Sequence, residues 1–120
     1  ALPREVALDD AVFNAGRLAL LLEGLAQGDP ELLQLGGEDR LHVRHRLPLV
    51  PGGVQAIDAA REAGAWLATL SGSGSALFAI GAKSSIDGIA TAMEEALRRV
   101  GDSGTSRVVD VDREGTREIE

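Results

Sequence analysis

Three groups of residues in this chain have the types and the spacing for chemistry. The first is Ser71-Gly72-Ser73-Gly74-Ser75, set between two apolar runs, 65–70 and 76–80. Glycines there can take φ > 0 without a Cβ clash. Successive backbone N–H groups of such a turn can converge on an anion, with serine hydroxyls beside them. Taken alone, the loop reads first as a plain strand connection, because short Gly/Ser loops are common. The second group is a cationic cluster in an otherwise acidic chain. Arg40, His42, Arg44, His45 and Arg46 fall within seven residues. A guanidinium fork suits a carboxylate or a phosphate. A charged helix end leading into a loop is the plainer alternative. The third group is Asn14 with Arg17, three residues apart and so on a shared helical face. With two histidines, no cysteine and no ligand spacing, no metal site is expected. No residue is assigned a catalytic role.

These residues need elements to hold them. Asp9 or Asp10 is read as the cap of a first helix running to about Ala26. Its stripe Ala11, Ala15, Leu18, Leu22, Leu25 predicts a buried face. Gly28-Asp29-Pro30 ends it and opens a second helix, with Asp29 as cap and Pro30 in the first turn. Pro48 and Pro51 predict an extended connection after Arg46. Val54, Ile57 and Ala60 mark a third helix, closed at Gly64. Ser84-Ser85-Ile86-Asp87 has the form of a capping box before the stripe Ile86, Ile89, Met93, Leu97, Val100. Val109 and Val111 alternate with Asp110 and Asp112, as in a half-exposed strand. Residues 113–116 are read as a turn into a last strand, 117–119. The fold class that follows is α+β: an antiparallel sheet with helices packed on one face. The tightly linked central strands cannot be parallel.

Composition sets the outer limits. The 120 residues suit a single domain. Aromatic residues are only 2%, so the core must be aliphatic. The net charge of −7 argues against nucleic acid and anionic membranes as partners. No run is long enough to span a membrane, and the lack of cysteine fits a cytoplasmic setting. The chain starts at Ala1 and not at Met, so it is expected to begin inside a longer protein.

Three stretches coincide in order and spacing: 10–17 with Asn14 and Arg17, 39–52 from Asp39 through Arg46 to Pro51-Gly52, and 64–74 ending in the glycine loop. Together they resemble the C-terminal domain of the homoserine kinases, in the GHMP kinase superfamily. That resemblance implies a ferredoxin-like sandwich and ATP-dependent phosphorylation of the L-homoserine hydroxyl, on the route to threonine. It implies that Arg17 and Arg46 bind the substrate carboxylate, with Asn14 as an orienting neighbour and Arg44 competing with Arg46. It implies that Ser71, Gly72, Ser73 and Gly74 line the active site beside the nucleotide phosphates. ATP and Mg2+ would be bound mainly by an N-terminal kinase domain, whose nucleotide loop is not in this sequence. The chain by itself is then expected to be inactive, to expose aliphatic surface where that domain would dock, and to have a homodimer open to it. A non-catalytic amino-acid-binding module, an interaction domain and a sister GHMP kinase with another hydroxylated substrate remain as alternatives.

Overall fold

In the computed structural model, which describes residues 2–112, 114, 115 and 118, the chain runs through five helices and two strands. The order is α1 (Leu8–Gln27), α2 (Pro30–Gly36), α3 (Val43–Arg46), a 3-10 turn (Leu47–Leu49), α4 (Gly53–Glu62), β1 (Leu67–Leu70), β2 (Leu77–Ile80) and α5 (Ile86–Arg99). The strands are antiparallel, with Leu67 opposite Ile80 and Leu70 opposite Leu77. Strand alternation sends Ala68, Leu70, Leu77 and Ala79 to one face. There Ala68 meets Ile57 and Ala60 of α4 and Ile89 of α5, and these four small or aliphatic residues form the core. Thr69 and Phe78 point the other way, and Phe78 is 45% exposed. This is the α+β arrangement expected from the sequence, with α4 and α5 on one face of the sheet.

Helix α1 departs from its expected orientation. The stripe expected to be buried is largely in water: Leu18 is 57% exposed and Leu22 59%. The inward residues are instead Asp10, Asn14, Arg17, Leu21 and Gly24, which recur at steps of four and three. The reason is close packing. A Cβ on Gly24 would stand 2.8 Å from the backbone nitrogen of Leu33 in α2, and one on Gly36 would collide with the backbone of Leu21. Two glycines facing across the crossing let α1 and α2 approach closely, and this fixes which face of α1 turns in. The opposite face carries Leu8, Val12, Ala15, Ala19, Leu22 and Ala26, all exposed.

Other boundaries were read correctly in part. Asp29 accepts hydrogen bonds from the N–H groups of Glu31 and Leu32, capping α2 as expected. Helix α1 starts at Leu8, so Asp9 and Asp10 lie in its first turn and do not cap it. There they still favour the positive end of the helix. The Ser84–Asp87 capping box does not form, because α5 starts at Ile86 and so takes Ser85 as its N-cap, whose hydroxyl donates to the Ala82 carbonyl instead. Residues 43–49 are helical and not extended; Pro48 sits in the 3-10 turn, whose φ its ring matches. The alternation at Val109 to Asp112 makes no strand among the described residues, and Val111 is 86% exposed. A lone extended segment has no ladder to join. The expected turn and strand at 113–119 involve Arg113, Thr116, Arg117 and Ile119, which lie outside the described residues. Ser106 ties the segment after α5 back to it, donating from both N–H and hydroxyl to Glu94 at 2.7 Å. Among the described residues, no helix is long and apolar enough to cross a membrane.

Candidate functional site

The turn from Glu38 to Arg46 is where the candidate residues gather. Its start is pinned to α1. Asn14 donates its side-chain N–H to Asp39 Oδ2 at 2.6 Å and accepts from the backbone N–H of Arg40 at 2.9 Å. Arg17 pairs with Glu38 at 2.8 Å. The Phe13 ring lies beneath two guanidinium groups, Arg40 at 3.6 Å and Arg17 at 4.4 Å from its centre. Such stacking holds a guanidinium plane in place and contributes about 0.5–1 kcal/mol at an exposed site. Asp10 takes Arg44 at 2.8 Å and Arg40 at 3.8 Å.

The end of the turn is set by Asp39. Its Oδ1 accepts from the backbone N–H groups of His42 and Val43 at 2.6 and 2.7 Å, which closes the entry of α3. Partial burial pushes the Asp39 carboxyl up. The two backbone donors, the Asn14 amide and the nearby His42 outweigh that and hold it below its ordinary value. Arg46 is the last residue of α3. Its Nε is buried without a partner, and among the described residues its side chain makes no ion pair or hydrogen bond. The Nε of Arg17 is likewise buried and unpartnered, although its terminal nitrogen holds Glu38. Arg17 and Arg46 therefore attach to opposite ends of one turn. Arg44, the competitor for the carboxylate, is already held by Asp10.

The glycine loop joins β1 to β2, as its composition predicted. Gly72 and Gly74 have φ of 54° and 86°, in the region that disfavours a Cβ. Two internal bonds shape it: Ser71 N–H to the Ala76 carbonyl at 2.9 Å, and Gly74 N–H to the Ser71 carbonyl at 3.1 Å. The N–H groups of Gly72, Ser73 and Ser75 have no partner among the described residues. A Cβ on Gly74 would stand 3.5 Å from Val50, so the loop lies beside the segment that follows Arg46. Ser75, Ala76, Val50 and Pro51 share the rim of a groove of about 480 Å3. Among the described residues no three acidic, histidine or cysteine side chains gather to hold a metal.

Sequence reasoning missed Asp39, Phe13 and Asp10 as parts of this arrangement. Asp39 carried a signal: an Asp shortly before a helical turn commonly accepts its first backbone donors. Asp10 carried none, because Arg40 and Arg44 are thirty or more residues away; Phe13 carried half of one, since Arg17 lies four residues on along α1 while Arg40 comes from far along the chain.

Comparison with known proteins bears on this arrangement. The family described as GHMP kinases C terminal matches residues 21–99. A homoserine kinase from Picosynechococcus sp. is 38% identical over 115 residues, covering 96% of this chain and 38% of that protein. One from Moorella thermoacetica is 51% identical over 78 residues, covering 65% of this chain and 26% of that protein. The crystal structure of a homoserine kinase from Cytophaga hutchinsonii is similar with a TM-score of 0.77 at 31% identity, covering 82% of this chain and 32% of that one. The chain thus spans well under half the length of the relatives it matches.

Proposed function

The chain belongs to the GHMP kinase C-terminal family, and from that premise we propose that it is the substrate-binding part of a homoserine kinase, which transfers the γ-phosphoryl group of ATP to the hydroxyl of L-homoserine. The observation that carries this reading is Arg46. Around it, Arg17, Arg40 and Arg44 each have an acidic or aromatic partner within the chain. Arg46 has none, and part of its guanidinium is withdrawn from water. A cation left in that condition favours an anion supplied from outside. A substrate carboxylate fits the planar fork of arginine. Arg17 is the second fork. Its partner Glu38 is half exposed, and pairs with so solvated a carboxylate contribute about 1 kcal/mol. A substrate carboxylate can therefore replace Glu38 at small loss.

Ser71 to Gly74 are assigned to the phosphate side. The unpartnered N–H groups of Gly72 and Ser73 are donors available to phosphoryl oxygens as charge shifts during transfer. Mg2+, which the family resemblance implies, finds no ligand set among the described residues, so no step here is assigned to it. ATP is held by parts of the kinase beyond these residues, with an N-terminal kinase domain as the partner of this one.

The test is steady-state kinetics of the full-length kinase with Arg46→Leu. Losing a charge-assisted contact costs about 1.5–3 kcal/mol, which raises KM for homoserine roughly tenfold to a hundredfold. KM for ATP should stay unchanged. An equal rise for both substrates, or none for homoserine, would remove Arg46 from the site.

A further inference from the structure

We propose that Asp39 is a positioning residue of the substrate site, one that orients Arg46 through α3 and is itself held in place by Asn14. The proposal rests on the substrate reading of Arg46 given above. It starts from the shortness of α3. Four residues form a single turn, far below the length at which a helix persists by itself. The residue before it, His42, offers no side-chain cap. What holds the turn is the Asp39 carboxylate, which collects the first two backbone donors at 2.6 and 2.7 Å. Inside the turn, the Arg46 N–H closes onto the His42 carbonyl at 3.2 Å, so the two ends are one hydrogen-bonded unit.

The second half of the connection runs to α1. Asp39 Oδ2 takes the Asn14 amide at 2.6 Å, and Asn14 Oδ1 takes the next backbone N–H, that of Arg40. One carboxylate and one amide thus bind four donors across twenty-five residues of chain. All three bonds to Asp39 are to a charged acceptor, the class that is shortest and strongest. Asn14 stands one turn before Arg17 on α1, so the same anchor relates the two candidate guanidinium groups. The side chain of Asn14 is engaged on both its oxygen and its nitrogen, which makes it a support for the turn that carries Arg46.

The energetic logic separates this role from ordinary capping. Asp29 also ties down the start of a short helix, as the N-cap of α2 accepting from Glu31 and Leu32 at 2.8 and 3.2 Å, but α2 ends in no candidate residue. Removing either cap weakens a short helix. Only removing Asp39 should also displace a guanidinium that binds substrate, and displacements of about 1 Å can cost one or two orders of magnitude.

The experiment compares Asp39→Ala, Asp39→Ser, Asn14→Ala, Asp29→Ala and Arg46→Leu in the full-length kinase, with KM for homoserine, KM for ATP and thermal unfolding measured for each. Asp39→Ala should raise KM for homoserine about tenfold and leave KM for ATP unchanged. Asp39→Ser should recover only part of that, since a serine hydroxyl can accept from the backbone donors but leaves the Asn14 amide without its second oxygen. Asp29→Ala should lower the unfolding temperature without moving KM for homoserine. Should Asp39→Ala fail to fold, Asn14→Ala provides the same reading, because it cuts the anchor and leaves the cap. An unchanged KM for homoserine in Asp39→Ala or Asn14→Ala would overturn the proposal, as would parallel rises for both substrates. If Arg46→Leu raises KM for homoserine and Asp39→Ala does not, the positioning role falls and the substrate reading stands. If neither moves it, both fall.

Discussion

Replacing Gly24 by Ala should destabilise the chain relative to replacing Gly16 by Ala, although both glycines lie in the same helix. In the helix interior, Ala is favoured over Gly by about 1 kcal/mol. At Gly16 nothing lies within 4 Å of the new methyl group, so that gain stands alone. At Gly24 the methyl would meet Leu33 N at 2.8 Å, and the carbonyl carbon and Cβ of Leu32 at 3.0 Å. Two of these three are backbone atoms, which no rotamer change can move away. Helix α2 must retreat by about half an ångström or more, and Leu33, only 2% exposed, loses contacts as it does. Overpacking of this kind typically costs about 1–3 kcal/mol. The propensity gain is common to both variants, so their difference isolates the clash at about 1–3 kcal/mol. At this chain length that corresponds to roughly 3–15 °C between the two unfolding midpoints. Circular dichroism on heating, with urea unfolding alongside, reads it directly. A Gly24→Ala variant as stable as Gly16→Ala would refute the close crossing of α1 and α2. It would also remove the reason given for which face of α1 turns inward.

Other outcomes follow from the same geometry. Gly74→Val should destabilise by about 1–3 kcal/mol, since φ of 86° is strained for a β-branched residue, and an unchanged midpoint would contradict the loop conformation. The Asp39 carboxyl is held below its ordinary value of 3.8, so the stability it adds is present above that value and is lost as pH falls through the lower folded value. Wild type and Asp39→Ala should accordingly differ most near neutral pH and converge in strong acid; a gap that persists unchanged into strong acid would be inconsistent with an ionised anchor. The outward face of α1 should make the isolated chain self-associate, and the pair Leu18→Glu with Leu22→Glu should restore a monomer in sedimentation velocity. An unaltered mass distribution would show that α1 is not the adhesive face.

The local chemistry of the chain was decided by its sequence. Asp29 followed by Pro30 suits the cap and first turn of a helix, and the structure has it there. Two aliphatic runs around Ser71 to Ser75 form a tight antiparallel pair, because so short a connection leaves no room for a crossover. The clustering of arginines near residue 46 was equally plain. The orientation of α1 was not. Its sequence holds two stripes at helical spacing, one apolar and one with Asp10, Asn14 and Arg17, and burial alone favours the apolar one. Tertiary structure chose the other, since Gly24 and Gly36 admit a close crossing and Asp39 and Glu38 satisfy the polar groups that turn inward. The partners lie ten to thirty residues apart, beyond the reach of any periodicity. The same holds at the far end of the chain, where the alternation at Val109 to Asp112 met no strand among the described residues. A strand pattern states a capacity to pair, and only the presence of a neighbouring edge turns it into a strand.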